Sequence, residues 1–201
     1  MSELDILQER LYENLKNVII KETSEAKTSV AIYFTSNDLF YPHDARHFRH
    51  SVIEKDYYEW KHSLVRRASK HIFVRDIYKQ WYVSGINSEI SDIDKLVSFL
   101  NKETSKYEEV ICLGSSAGGY IASLIGSLIH ADICFSFNGQ WNINDMIGNE
   151  EKIVSPLLYK VKEEHDDSKL KYFDLREWIK SNPNIFYFRS IYCQDDITIV
   201  R

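Results

Sequence analysis

Short apolar runs alternate with amphipathic segments along most of the chain. The runs at residues 29–35, 71–76, 110–113, 132–137 and 185–192 are rich in β-branched and aromatic residues, which is typical of buried strands. Because these runs are apolar on both faces, they predict a mainly parallel sheet with helices on both sides. The expected fold class is therefore α/β.

Helical periodicity separates the predicted strands. Apolar residues recur every three or four positions across residues 3–22, which predicts an amphipathic N-terminal helix. We expect residues 1–28 to pack, through this helix, on a domain formed by residues 29–201, although such a helix can also dock on a partner. A later helix is expected to start at Ser91, with Asp94 in the capping-box position. That helix is expected to run to about residue 103, and further helices are predicted near 57–69 and 172–180, with a polar, helix-rich excursion at 144–171 between the last two strands.

The change of period around Ser116 is the most informative feature of the chain. Residues 114–119 read Gly-Ser-Ser-Ala-Gly-Gly and stand between the apolar run at 110–113 and an apolar, helix-like segment at 120–129. A Gly-x-Ser-x-Gly pattern between a strand and a helix holds its serine on a sharp turn near a helix N-terminus. Gly119 is expected to let that helix approach the neighbouring strand closely. The other interpretations are a structural tight turn or an anion-binding helix start, but the spacing is not Gly-x-Gly-x-x-Gly.

These residues carry a resemblance to a known family. The segments ICLGSSAGGYIASLIG, SVAIYFTSNDL and RDIYKQWYVSGI resemble the α/β-hydrolase superfamily, and more narrowly bacterial α/β-hydrolase-like proteins encoded with surface or capsular polysaccharide genes. The resemblance covers most of residues 29–196. It implies an α/β-hydrolase type of fold, whose last strand and helix this sequence could lack. It also implies a serine-dependent esterase or acyltransferase for an acylated substrate, with a glycan favoured, and no metal or organic cofactor.

The resemblance also assigns site residues. Ser116 matches the nucleophile, and the backbone N–H of Ala117 matches one oxyanion donor. The second donor is expected in the loop after the first strand, near Ser36. The acid matches Asp196, with Asp195 close behind, in the loop after the fifth strand. Taken alone, two aspartates after a strand are equally well explained as turn-forming residues.

The histidine that the superfamily has after the acid is missing, because no histidine follows His165. A serine hydroxyl without a base is a poor nucleophile. Three explanations stay open: a C-terminally shortened form of a longer product, a base supplied by another histidine, and a non-catalytic relative that keeps the turn. His43, in the loop after the first strand, is the favoured substitute, although an exposed loop histidine is the plainer interpretation.

Two alternatives to an enzyme follow from the missing histidine. The first is a non-catalytic scaffold or assembly protein in surface polysaccharide production, which would dock through the amphipathic N-terminal helix. The second is a binding module for a phosphate-bearing sugar at the helix after Ser116.

Aromatic and polar side chains follow the predicted carboxyl ends of two strands. Trp81 and Tyr82 come after the second strand, and Asn138, Gln140 and Trp141 come after the fourth. Ligands of open α/β sheets bind at this edge. Stacking on a sugar ring is one interpretation, and packing in the core or at the rim is the more frequent role.

Composition and charge limit the classes of protein to which the chain can belong. A chain of 201 residues fits one domain, and its formal net charge of −5 argues against a nucleic-acid partner despite a basic cluster between residues 46 and 70. Its three cysteines lie in apolar segments, which favours reduced thiols. With no signal peptide, membrane span or zinc-type spacing recognised, we expect a cytoplasmic protein. Its partners would be an acyl substrate and either a second copy of the chain or another protein.

Overall fold

A computed structural model describes residues 1–14, 17–24, 28–144, 147, 156–179 and 184–190. In these residues one sheet of six strands organises the fold. The strands are β1 (Val18–Glu22), β2 (Ser29–Phe34), β3 (Lys70–Val74), β4 (Glu109–Ser115), β5 (Ile133–Phe137) and β6 (Ile185–Phe188).

The sheet is mixed but mostly parallel. Its strand order is β1-β3-β2-β4-β5-β6, and every neighbouring pair is parallel except β1 and β3. The predicted α/β class is confirmed. Each of the five apolar runs contains a strand, because a central parallel strand is covered on both faces and reads as a continuous apolar segment.

Helices connect the strands and cover the sheet. They are α1 (Glu3–Glu13), α2 (Ala45–Phe48), α3 (Ile93–Thr104), α4 (Ala117–Leu128), α5 (Pro156–Glu163) and α6 (Asp167–Leu170). A π-helical segment at Arg49–Glu54 and 3₁₀ turns at Asn37–Leu39 and Leu175–Glu177 complete the regular structure of the described residues. None of the helices in these ranges is both long and apolar enough to cross a membrane.

The helix α4 is the centre of the core. It packs on β4, β5 and β2, and eleven of its twelve residues are buried. Its amino end is therefore fixed from several sides at the carboxyl edge of the sheet.

Two thiols lie side by side beneath α4. Cys112 of β4 and Cys134 of β5 are in register, and both are reduced and fully buried. The hydrogen bond to Cys134, together with burial, raises the pKa of the Cys112 thiol well above its ordinary value.

The predicted N-terminal helix is wrong in its extent. The helix α1 ends at Glu13, and Val18–Glu22 form the edge strand β1, antiparallel to β3. Val18 and Ile19 pack in apolar clusters on opposite faces of the sheet. Their period is therefore two, and pairing with β3 satisfies backbone groups on that strand's outer side.

The other predicted helices shift or disappear. Residues 57–69 form turns rather than a helix, and Trp60 has a positive φ of 70°. The helix predicted at 91–103 forms, but its N-cap is Asp92, whose Oδ1 accepts a hydrogen bond from the Lys95 N–H at 2.7 Å. Asp94 instead accepts a hydrogen bond from the hydroxyl of Tyr172. In the excursion predicted at 144–171 the described residues form the helices α5 and α6, and a 3₁₀ turn stands within the helix predicted at 172–180.

Candidate active site

Ser116 occupies a strained turn between β4 and α4. Its backbone has φ 51° and ψ −121°, a conformation that costs a residue with a side chain about 1–3 kcal/mol. Its N–H donates to the Phe137 carbonyl at 2.8 Å, and its carbonyl accepts from the Tyr120 N–H at 3.0 Å. These bonds fix the turn between β5 and the first turn of α4, and they leave the serine side chain half-buried. The strand–turn–helix context predicted for Ser116 is present.

Two glycines make this turn sterically possible. A Cβ on Gly114 would lie 2.2 Å from the Gly118 carbonyl oxygen, and a Cβ on Gly118 would lie 2.4 Å from the Phe34 carbonyl oxygen. Both obstacles are main-chain atoms, which cannot rotate away as a side chain can. The glycines of the Gly-x-Ser-x-Gly pattern are therefore required by the close approach of β2, β4 and α4.

A second glycine contact brings the loop after β5 to the same turn. A Cβ on Gly119 would lie 2.9 Å from the Ser136 hydroxyl oxygen and 3.0 Å from the Gly139 Cα, and a Cβ on Gly139 would lie 2.7 Å from the Gly119 carbonyl carbon. The close approach expected at Gly119 is confirmed. Its consequence is that the residues after Gly139 run past the start of α4.

The two predicted oxyanion donors differ in their hydrogen bonding. Ala117 is the first residue of α4, where helix geometry leaves the N–H without an intrahelical acceptor. The Ser36 N–H donates to the Glu59 carboxylate, with 2.7 Å between the nitrogen and Oε2. Ser36 is therefore in the expected loop, but its N–H already has an anionic acceptor.

Glu59 joins the loop after β2 to the turn at Ser116. Its Oε2 accepts from Ser36, and its Oε1 accepts from the hydroxyl of Ser115 at 2.8 Å. This role of Glu59 is not predicted from the sequence, because in the helix expected at 57–69 a glutamate is an ordinary solvated side chain. No sequence signal marks the contact, because Glu59 and Ser115 are 56 positions apart.

A buried arginine holds the segment that carries Glu59. Arg75, only 1% exposed, donates to the Tyr57 carbonyl at 3.0 Å and forms an ion pair with Asp56 at 3.1 Å. Its guanidinium also lies 4.2 Å from the centre of the Tyr58 ring. Planar guanidinium groups suit such combined stacking and hydrogen bonding. The chain is thereby fixed on the amino-terminal side of Glu59.

A side-chain amide lies beside the hydroxyl of Ser116. The Gln140 Nε2 is 3.4 Å from the Ser116 Oγ, and the Gln140 Oε1 accepts from the Trp81 indole N–H at 3.0 Å. Trp81 and Gln140 are both predicted at the mouth of the site, but the sequence does not predict the contact between them. Trp141, predicted with them, packs at 5.3 Å from the ring of Tyr187.

The loop that carries Trp81 is built around a buried carboxylate. Asp76 accepts hydrogen bonds from the backbone N–H groups of Tyr78, Gln80 and Tyr82 at 2.6 to 2.9 Å. Burial raises the pKa of Asp76, and these hydrogen bonds oppose the rise. Trp81 and Tyr82 both have positive φ, 52° and 62°. Tyr82 is fully buried, so this aromatic residue belongs to the core rather than to the mouth of the site.

The structure pairs no histidine with the Ser116 hydroxyl in the described residues. All seven lie within the described residues, and none is hydrogen-bonded to the Ser116 Oγ. His43 stacks on Phe40 at 5.3 Å and lines a cavity of about 260 Å³ beside α1. Burial and the nearby Lys79 lower the pKa of His43. The described ranges contain no cluster of potential metal ligands.

The predicted acids are not among the described residues. Asp195 and Asp196 are outside the described residues, so their role stays a prediction.

Comparisons with known proteins give a fold-level likeness. No protein-family model matches the chain, and its sequence matches none of the curated proteins. Among solved structures, it is similar to the capsule O-acetyltransferase of Neisseria meningitidis serogroup A, with a TM-score of 0.60 and 14% identity over 92% of this chain and 76% of that one. A second structure of that protein, in complex with caged gadolinium, gives a TM-score of 0.53 and 17% identity, over 84% and 66% of the two chains.

A third similar structure is the glycosylation associate protein (Gap123) complex of Streptococcus agalactiae. Its TM-score is 0.53 and its identity 13%, over 86% of this chain and 33% of that one. The present chain therefore spans about a third of that relative, and 66% of the chain in the gadolinium complex.

Proposed function

We propose that this protein has an α/β-hydrolase type of fold and is a serine-dependent esterase or acyltransferase that acts on an acylated carbohydrate, with Ser116 as the nucleophile. The observation that carries the proposal is the conformation of Ser116, at φ 51° between β4 and α4. Strained residues of this kind cluster at functional sites, where the surrounding structure over-determines them. Here Gly114 and Gly118 admit the turn, and two backbone hydrogen bonds hold it.

The reaction would begin with attack of the Ser116 Oγ on an acyl carbonyl carbon. An oxygen–carbon bond forms, the carbonyl electron pair moves onto its oxygen, and the serine proton passes to a base. The Ala117 N–H, at the positive end of α4, would stabilise the resulting oxyanion. The carbon–oxygen bond to the alcohol then breaks and the alcohol takes up the proton held by the base, which leaves an acyl-enzyme. A sugar hydroxyl or water attacks the acyl carbon, gives its proton to the base and releases the Ser116 oxygen, which is reprotonated. Asp196, or Asp195, remains the proposed acid that would support the base.

The structural neighbours favour a carbohydrate over other acyl acceptors. Two of the similar structures are of a protein described as a capsule O-acetyltransferase, and the third as a glycosylation associate protein complex. At identities below 20% this likeness supports the fold directly and the substrate class only by analogy. The resemblance noted in the sequence points to the same class independently.

A second candidate is a non-catalytic member of a glycan-modifying assembly. Two observations favour it: no histidine is bonded to Ser116 within the described residues, and the Ser36 N–H is engaged by Glu59. The third similar structure is itself a complex. In this case the turn at Ser116 would be kept for packing alone.

Labelling with a fluorophosphonate probe separates the two candidates. The adjacent Ser115 provides a matched control, because it is the last residue of β4 and its hydroxyl bonds to Glu59 instead of Gln140. We expect labelling of the wild-type protein and of Ser115→Ala, and none of Ser116→Ala, with the label mapped to Ser116 by peptide mass spectrometry. An unlabelled wild-type protein, or a label on Ser115, would contradict the proposed enzyme.

A further inference from the structure

We propose that Gln140 donates the second hydrogen bond to the oxyanion, in place of the Ser36 N–H, and that Trp81 fixes the amide in the orientation this requires. The inference rests on the proposed role of Ser116 as a nucleophile. It makes Gln140 a catalytic residue and Trp81 a positioning residue.

The donor predicted in the loop after β2 is already engaged. The Ser36 N–H points at Glu59, with 2.7 Å between nitrogen and carboxylate oxygen, and Glu59 is held on its other oxygen by Ser115. Hydrogen bonds to a charged acceptor are about twice as strong as neutral ones. An acyl oxygen would therefore have to displace a protein carboxylate to use Ser36, whereas it meets no such competitor at the Gln140 amide.

The orientation of the Gln140 amide follows from its other partner. An indole N–H is only a donor, so the group facing the Trp81 Nε1 must be the carbonyl oxygen of the amide. The 3.0 Å contact between them consequently turns the amide NH₂ toward Ser116. The NH₂ group has two hydrogens, so it can donate to more than one oxygen at the same time.

Both ends of this pair rest on unusual backbone. Gln140 follows Gly139, whose missing side chain lets the loop pass against the first turn of α4. Trp81 has a φ of 52°, and its neighbour Tyr82 one of 62°. Asp76 holds that turn through three backbone hydrogen bonds. Strain at two consecutive residues costs about 1–3 kcal/mol each, and its result here is the placement of the indole N–H at Gln140.

The distance to the serine suits a group that acts in the transition state. At 3.4 Å the hydrogen bond from the amide to the resting hydroxyl is long and weak. When the Ser116 Oγ bonds to the acyl carbon, the carbonyl electron pair becomes a negative charge on an oxygen attached to that carbon. A fixed amide donor beside Ser116 then gains a charge-assisted bond that it lacks in the ground state, which is the condition for catalysis.

The rate constant for labelling of Ser116 by a fluorophosphonate tests the inference. In this reaction a phosphorus–oxygen bond forms, fluoride leaves, and the serine proton passes to a buffer or protein base. We expect Gln140→Ala to lower the maximal labelling rate about 100- to 1,000-fold, the loss usual for one oxyanion donor, with half-saturating probe concentration little changed. Gln140→Glu, which is isosteric but places an acceptor at the oxyanion, is expected to lose at least as much.

Two controls separate catalysis from folding. Asn101→Asp makes the same change of amide to carboxylate on the exposed face of α3, near the amino ends of the strands, and should label at the wild-type rate. Thermal unfolding of each variant reports whether the fold is kept. Gln140→Glu retains the size of the side chain, so it serves if Gln140→Ala unfolds.

The role of Trp81 is tested by a double-mutant cycle. Trp81→Phe removes the indole N–H and is expected to slow labelling in the wild-type background, by less than Gln140→Ala does. In the Gln140→Ala background it should have no further effect, because there is no amide left to orient. A merely structural Trp81 would give additive losses instead.

The possible results separate the two proposals. Slow labelling of both Gln140 variants with intact folds supports the inference. Wild-type rates in both folded variants would overturn it and leave Ser116 as the nucleophile. Absence of Ser116 labelling in the wild-type protein would overturn the proposed function, and this inference with it.

Discussion

Alanine at position 118 is expected to destabilise the protein, although it replaces a glycine within a helix. On a solvent-facing helix the same change would stabilise by about 1 kcal/mol. Here the new methyl carbon would lie 2.4 Å from the Phe34 carbonyl oxygen and 3.0 Å from its carbon, whereas ordinary contacts begin near 3.4 Å. Both atoms belong to β2, which is buried and paired on both sides by β3 and β4. They cannot move without disturbing the sheet.

The size of the effect follows from the overlap. Restoring an ordinary contact requires α4 to move away from β2 by about 1 Å, and overpacking of this kind costs about 1–3 kcal/mol. With a rigid main-chain obstacle we take the upper end of that range. After the gain in helix propensity, Gly118→Ala should lower the free energy of unfolding by about 2 kcal/mol. The same movement displaces Ser116, so labelling of this serine should fall as well.

Gly126 provides a matched control in the same helix. A Cβ there would lie 2.1 Å from the Cys134 Sγ, but 3.6 Å from the Cys134 Cβ. Shortening Cys134 to alanine therefore removes the obstacle. Gly126→Ala should destabilise the wild-type protein, yet be neutral or stabilising by up to about 1 kcal/mol in a Cys134→Ala background. Gly118→Ala should cost the same in both backgrounds.

Urea unfolding followed by circular dichroism and tryptophan fluorescence measures all of these free energies. A Gly118→Ala variant as stable as the wild-type protein would contradict the predicted clash with β2. If Cys134→Ala fails to restore the stability lost in Gly126→Ala, the clash at Gly126 does not arise from the thiol.

Three further substitutions test the surroundings of the site, each by urea unfolding. Glu59→Gln replaces two charge-assisted hydrogen bonds by neutral ones and should lower the free energy of unfolding by about 1 kcal/mol. The exposed control Glu54→Gln should cause no measurable loss, and equal losses in the two variants would contradict the role of Glu59 in joining the two loops. Burial lowers the pKa of His71, so below about pH 6.5 the unfolded chain takes up a proton that the folded chain resists. The free energy of unfolding should therefore fall between pH 7.5 and 5.5. The fall should be less steep in His71→Gln, whereas His50→Gln should fall as steeply as the wild-type protein. Arg75→Lys keeps the charge but loses the planar fork, and should cost about 2 kcal/mol; an unchanged midpoint would contradict its role in holding the segment before Glu59.

The central sheet is predictable from the sequence because its strands are buried on both faces. Residues of β2 are all buried, so the strand reads as an unbroken apolar run. The edge strand β1 has only two half-buried residues followed by three exposed ones, which is too short a pattern to reveal a period of two. Its apolar residues continue the spacing of α1, and the sequence alone therefore favours one long helix.

The candidate site is predictable only in its local part. Ser116 and its glycines are neighbours in sequence, and the turn they form is fixed by steric contacts between adjacent elements. Gln140 is 24 positions from Ser116 and 59 from Trp81. These contacts depend on how three loops meet at the edge of the sheet, and no periodicity or spacing encodes such a meeting.

The paired thiols beneath α4 make the opening of the sheet chemically observable. Cys112 and Cys134 have no exposed surface, and the pKa of Cys112 is raised, so neither sulfur is available to an alkylating reagent while β4, β5 and α4 stay together. In a Cys193→Ser variant the chain carries no other thiol. The rate at which such a variant consumes iodoacetamide then measures how often the layer that supports Ser116 comes apart, under conditions in which the protein remains folded.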